Sequence, residues 1–180
     1  MKIAILTPTF NDWSGIDNVA RMQAEDYSKN KKNEVIVITL QGSIKPEGYK
    51  VIRLGMPSNS FLQRLYRLFF FLDINKMGYY KQLKNYDKII SHFYPMNWLA
   101  HRARKKYGIN YIFWNHGIDE GWDTPLEKYY MKFLLKLNKF TIESADKIVS
   151  VSKWGKDELK NQIGLDSDME PNKIDKKRFN

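Results

Sequence analysis

Cysteine is absent from the 180 residues, which removes a disulfide scaffold, a thiolate nucleophile and any cysteine-ligated metal. Histidine is scarce: three residues, His92, His101 and His116, share no His-x-x-x-His or Glu-x-x-His spacing, so no metal site is expected. No Gly-x-Gly-x-x-Gly fingerprint, P-loop or Gly-x-Ser-x-Gly elbow occurs, leaving dinucleotide-fingerprint, P-loop NTPase and serine-hydrolase readings without an anchor. The longest apolar run, Leu68 to Leu72, is far too short to cross a bilayer. The first strand pattern begins at residue 2, so no signal peptide is expected and the chain reads as cytoplasmic. Repeats and linkers are lacking too, which points to one domain of ordinary size.

What is present is bulk and positive charge. Hydrophobic residues make up 43% and aromatics 14% of the chain, enough for a large core, and the formal net charge is +10. That charge suits an anionic membrane surface or a phosphorylated ligand, or simply a lysine-rich solvated surface. Nucleic acid is not expected, because no RNA-binding, zinc-finger or basic-zipper signature accompanies the charge.

The opening residues organise the rest. Residues 2–7 form an apolar run suited to a strand buried on both faces. A polar loop with Ser14 and Gly15 follows. Ile16, Val19, Ala20, Gln23 and Tyr27 then mark one face of a helix. Further strands are predicted at 35–39, 49–54, 86–92, 111–115 and 146–151, with one short strand in the tail. Helices are predicted at 61–83 with a break near 75–78, from Pro95 to about Lys106, at 125–144, and from a Ser152 cap to Gln162. In the first half of 61–83, Leu62, Leu65, Phe69 and Leu72 read as a buried helix, and Ser60 is a candidate cap. In 125–144 the expected inner face is Leu126, Tyr130, Phe133, Leu137 and Phe140. Its lysines 128, 132, 136 and 139 either stand in water or rest on anionic lipid. His101, beside Arg102 and Arg104, reads as a surface residue.

Alternating strands and helices imply a Rossmann-like α/β sandwich: three layers around a mostly parallel sheet of six to seven strands. Ligands of such sheets bind outside the carboxyl ends of the strands. The residues predicted there are Ser14, Gly15, His92, His116, Gly117, Asp119, Glu120, Ser152 and Lys153. His116 is the sharpest of these, since an imidazole exchanges hydrogen bonds with a hydroxyl and titrates near neutrality. Gly117 lets the backbone turn beside it and leaves room for a ligand. Asp119 and Glu120 could act as bases or bind sugar hydroxyls.

Six segments taken in order resemble the N-terminal domain of GT-B glycosyltransferases, specifically glycosyltransferase family 4. They are the opening strand 1–8, the loop Ser14-Gly15-Ile16-Asp17-Asn18-Val19, the strand 86–92, Trp114-Asn115-His116-Gly117, Ala145 to Ser152, and Pro171 to Phe179. Two departures stand out: one glycine where the family's first loop has two, and Lys173 where the interdomain motif has glycine. The resemblance implies retaining transfer from a nucleotide-sugar donor to a glycan or lipid-linked acceptor, with no metal or other cofactor. It implies that His116 touches the transferred sugar or orients the acceptor hydroxyl, and that the Gly15 backbone approaches the donor. On this reading residues 1–165 are the acceptor-side domain and 166–180 begin an interdomain linker. The nucleotide-sugar domain is then absent, the chain is inactive alone, and membrane association at the inner face would be peripheral. Two other readings fit the residues: a non-catalytic module for a glycan, a lipid or an acidic surface, and a flavodoxin-like nucleotide domain.

Overall fold

The computed structural model describes residues 1–117 and 125–172, apart from the side chains of residues 125–128 and 131. Seven parallel strands form one sheet in the order β3-β2-β1-β4-β5-β6-β7. In chain order they are β1 (Lys2–Phe10), β2 (Glu34–Gly42), β3 (Lys50–Arg53), β4 (Lys88–His92), β5 (Asn110–Asn115), β6 (Lys147–Ser150) and β7 (Asp168–Met169). The helices are α1 (Gly15–Ser28), α2 (Ser60–Leu68), α3 (Ile74–Met77), α4 (Asn97–Tyr107), α5 (Pro125–Leu137), α6 (Lys139–Glu143) and α7 (Lys153–Ile163). Tight 3-10 turns at Phe70–Leu72 and Gly78–Asn85 flank α3.

The continuous apolar runs are explained by two-sided burial. Along β1, Ile3 and Ile5 pack with Ala20 and Ala24 of α1, while Ala4 and Leu6 face the opposite layer. That second layer is built from Leu99, Ala100 and Ala103 of α4, Ile142 of α6, and Leu159 and Ile163 of α7. Each of the larger aliphatic side chains contributes about 1.5–3 kcal/mol on burial. The chain runs from β1 to β2 on one side and from β4 to β5 on the other, so the direction of winding switches between β1 and β4. A crevice therefore opens at the carboxyl ends of those two strands.

The sharp exit from β1 into α1 is held by Asp17. Its buried carboxylate accepts from the Asn11 N–H at 2.8 Å, the Thr9 hydroxyl at 3.0 Å and the Thr7 hydroxyl at 3.4 Å. The Ser14 hydroxyl caps the helix by accepting from the Asp17 N–H at 3.3 Å. Burial raises the Asp17 pKa above the ordinary carboxylate value, although these bonds pull it down.

Four expectations are overturned. The helix expected to be buried, α2, buries none of its residues, and Leu62, Leu65, Phe69 and Leu72 are all exposed. The pattern does make one apolar stripe, but the chain leaves it uncovered. Asn59 rather than Ser60 caps this helix, accepting from the Phe61 and Leu62 N–H groups. The long helix breaks at Asn138, and its buried positions are Leu134, Asn138, Thr141 and Ile142. Of the expected inner face, Tyr130 does pack against Leu134, Phe133 is exposed, Phe140 is half-exposed with its ring edge-on to Trp98, and the Leu126 side chain lies outside the described residues. A polar seam sets this register: the Asn97 amide donates to the Thr141 hydroxyl at 2.6 Å. His101 belongs to the same seam rather than to the surface, with Nδ1 2.8 Å from the Ser144 hydroxyl and its ring edge-on to Phe140.

Replacing Asp17 with alanine would take the acceptor from the half-buried Asn11 N–H and Thr9 hydroxyl, at about 0.5–1.5 kcal/mol for each hydrogen bond lost. The urea midpoint of Asp17→Ala is expected to fall accordingly. Gly15→Ala should leave it almost unchanged, since no atom lies within 4 Å of the added Cβ. Equal midpoints for wild type and Asp17→Ala would refute the role given to this carboxylate.

Candidate functional site

At the carboxyl ends of β4 and β5, two histidines meet. His92 Nδ1 and His116 Nε2 are 2.9 Å apart, and the rings lie tilted with centroids 5.2 Å apart. On the far side of His92, Nε2 is 2.9 Å from Gln23 Oε1. Gln23 comes from α1, so the row spans three elements.

The donors follow from this geometry. With the Gln23 oxygen facing His92, Nε2 must carry the hydrogen and donate. His92 Nδ1 is then an acceptor, and His116 Nε2–H donates to it. His116 Nδ1 is left with a lone pair, aimed at no other partner among the described residues. Both rings are held neutral. Burial pushes His116 down to about 4. Burial first, and then the charge His116 would carry, push His92 well below its usual value.

His92 is fully buried, so it acts through His116 and has no surface to offer a ligand. The strand that delivers it is followed by Phe93 at φ +66°, a strained backbone conformation for a residue with a side chain. A bulky residue in that region costs about 1–3 kcal/mol and persists only where surrounding contacts enforce it.

Gly117 sits at φ +80°, and a Cβ there would lie 2.6 Å from the Trp154 ring. Its missing side chain makes room for Trp154, where the sequence suggested room for a ligand. Asn115 completes the joint: its amide donates to the Ser150 hydroxyl and the Gly155 carbonyl, both at 3.0 Å, and its oxygen accepts from the Gly117 N–H at 3.2 Å. The β5 exit is thus clamped to the start of α7. There Ser152 caps the helix by accepting from the Gly155 N–H at 3.1 Å, and Lys153 is exposed.

The structure therefore joins His92 to His116, and Gly117 to the helix start formed by Ser152 and Lys153. Ser14 and Gly15 open α1, the helix that carries Gln23. Asp119 and Glu120 lie outside the described residues, as do residues 173–180 of the tail motif. Gln23, Asp17 and Asn115 were not among the predicted site residues. The signal for Gln23 was a polar residue on an otherwise apolar helix face. A cavity of about 430 Å³ lies beside the row, between α1 and residues 170–172, with Gln23, Trp114 and Lys147 on its walls. It runs along the sheet face, away from the strand ends. Among the described residues no group of three or more His, Asp or Glu could hold a metal ion, and no helix is long and apolar enough to cross a membrane.

The family model described as Glycosyltransferase Family 4 matches residues 13–176. No curated protein matches the sequence. Among solved structures, the chain is similar to the lipopolysaccharide outer core galactosyltransferase WaaB in its apo form. There the TM-score is 0.57 at 18% identity, covering 97% of this chain and 46% of that one. It is also similar to Anabaena HepE in complex with UDP and glucose, with a TM-score of 0.64 at 13% identity and coverage of 97% and 45%. A glycosyltransferase from Rickettsia africae gives 0.50 at 18%, covering 94% and 42%. At such identities the likeness concerns the fold, and the chain spans less than half the length of each of these proteins.

A pH titration tests the row directly. Between the ordinary histidine value of 6.5 and about 4, the unfolded chain binds protons that the folded chain refuses. Stability is therefore complete above that window and falls as the pH drops through it. Imidazole nitrogen NMR should show His116 neutral at pH 6, titrating near 4. A midpoint close to 6.5 would mean that the ring is solvated and the row is not formed.

Proposed function

Because the chain belongs to glycosyltransferase family 4, we propose that it is the acceptor-side domain of a retaining glycosyltransferase. In this reading a sugar passes from a nucleotide-sugar donor to a glycan or lipid-linked acceptor at the cytoplasmic side of the membrane. The donor is a substrate, and no cofactor or metal takes part. A second domain, of the kind that fills out the longer relatives, would hold the nucleotide, and residues 166–180 would lead towards it.

The observation that carries the reading is the neutral His116 at the end of β5, with a lone pair on Nδ1. In transfer, the bond from the anomeric carbon to the diphosphate breaks, a bond to the acceptor oxygen forms, and the acceptor hydroxyl's proton passes to the departing diphosphate oxygen. A neutral imidazole can accept a hydrogen bond from a sugar or acceptor hydroxyl and fix its orientation without adding charge. Gln23 and His92 are positioning residues, because they set which His116 nitrogen accepts. The Gly15 backbone, open to solvent at the start of a 14-residue helix, is suited to the donor's diphosphate or sugar hydroxyls. Ser14 and Ser152 contribute as helix caps beside that space. Lys153, Asp119 and Glu120 are proposed acceptor or donor contacts.

The 180-residue chain alone is expected to show no measurable transfer. With a nucleotide-sugar domain fused downstream, His116→Ala should lower kcat by about 10²-fold or more with the melting temperature maintained. Gln23→Leu should lower kcat less and shift the pH profile, because it frees the polarity of the row. Turnover by the isolated chain, or full activity in His116→Ala, would overturn the reading. Dependence on surface lysines, with none on His116, would favour the non-catalytic binding module.

A further inference from the structure

Arg67, in the last turn of α2, is half-buried. Its Nε is cut off from solvent and has no hydrogen-bond partner. Among the described residues no carboxylate forms an ion pair with its guanidinium. The other two half-buried arginines of the described chain are both paired, Arg21 with Glu25 at 3.8 Å and Arg104 with Asp146 at 2.7 Å. Burial lowers the Arg67 pKa, and Tyr130, Asp17 and Tyr94 act against that shift through space. An arginine keeps its proton in either case. A guanidinium withdrawn from water without a partner costs free energy that an incoming anion recovers.

Two tyrosines fasten the turn that bears this residue. The Tyr94 hydroxyl donates to the Arg67 carbonyl, and the Tyr130 hydroxyl donates to the Arg64 carbonyl at 3.0 Å. Both rings belong to a small apolar cluster with Leu68 and Leu134. The groups that act on the guanidinium share one place in the fold. Tyr94 lies just past the end of β4, Asp17 stands in the first turn of α1 beyond β1, and Tyr130 belongs to the helix after β5. Arg67 therefore stands at the carboxyl edge of the sheet, the edge that also carries His116. Asp17 is already engaged by Thr7, Thr9 and Asn11. From residue 48 to residue 72 the sequence contains no aspartate or glutamate, while Lys50, Arg53 and Arg64 add positive charge.

We propose that Arg67 anchors a phosphate group carried by the acceptor, gripping its oxygens with the guanidinium fork. Phosphate offers paired oxygens that match the fork, and a phosphate ester is close to a dianion at neutral pH, so it gains more than a carboxylate from a segment without acids. The apolar cluster under the turn lowers the local dielectric, which strengthens the attraction. The start of α1 already suits the donor's diphosphate, which leaves this second anion to the acceptor. That last assignment rests on the transferase reading, whereas the anchor itself does not.

The experiment follows the Arg67 Nε–H resonance of the 180-residue chain by nitrogen NMR while glucose 1-phosphate is added at constant ionic strength. A saturable shift is expected. In calorimetry, Arg67→Gln should bind glucose 1-phosphate at least about tenfold more weakly, and Arg67→Lys should recover only part of the loss, because an ammonium has no fork. Arg67→Met should melt no lower than the wild type, since it removes an unpaired charge from a half-buried place. The rise in melting temperature that glucose 1-phosphate gives the wild type should vanish in that variant. A resonance that does not move, or equal binding by wild type and Arg67→Gln, would overturn the proposal. So would a marked drop in the melting temperature of ligand-free Arg67→Met, which would mean that the arginine serves the fold. Pyrophosphate and glucuronate separate the sources of the anion. Tighter binding of pyrophosphate through Arg67 would give the anchor to the donor, and tighter binding of glucuronate would give it to a carboxylate; either result would overturn the assignment to an acceptor phosphate. Intact binding of glucose 1-phosphate in a fused protein that transfers no sugar would instead refute the reading of the site.

Discussion

The arrangement rests on one buried carboxylate. Asp17 gathers the last polar groups of β1 and the first of the loop, and so fixes the angle at which α1 leaves the sheet. A helix held at that angle brings Gln23, two turns further on, to the buried edge of His92. Were the turn looser, the row of hydrogen bonds would lose its origin and His116 would have no defined tautomer. The cost of burying the carboxylate, visible in its raised pKa, is offset by donors supplied within ten residues of sequence. The device is local in the chain even though its effect reaches β5.

The same economy recurs at the other end of the site. Asn115 ties β5 to β6 and α7 through its amide nitrogen and holds the turn at Gly117 through its oxygen, and Gly117 lets the two segments touch. His116 sits between these anchors, so its ring is set from both sides: by His92 within the sheet edge and by the clamp to α7. A flexible loop alone would not hold an imidazole in one protonation state and one orientation.

The strands were legible in the sequence because two-sided burial leaves unbroken β-branched runs, such as Val35 to Thr39, that little else produces. The strand ends were legible for the same reason, and with them the places of His92 and His116. Their contact was not legible, since strand order depends on crossovers that no local pattern encodes. Nor was the fate of α2, because an apolar stripe reads the same whether a core or nothing lies against it. The inner face of α5 and α6 was misjudged by one position because Asn138 and Thr141 are polar. Their burial depends on Asn97, a partner more than forty residues away.

Gln23, His92 and His116 have one further property as a set. Each hydrogen bond in the row fixes the direction of the next, and His92 is too deeply buried to exchange partners with water. Turning the Gln23 amide end for end would reverse the row, and His116 Nδ1 would then present a hydrogen instead of a lone pair. An amide in the first helix therefore sets the sign of the contact offered at the end of the fifth strand. Glutamate there would hold the row in its present sense, whereas leucine would leave both senses open.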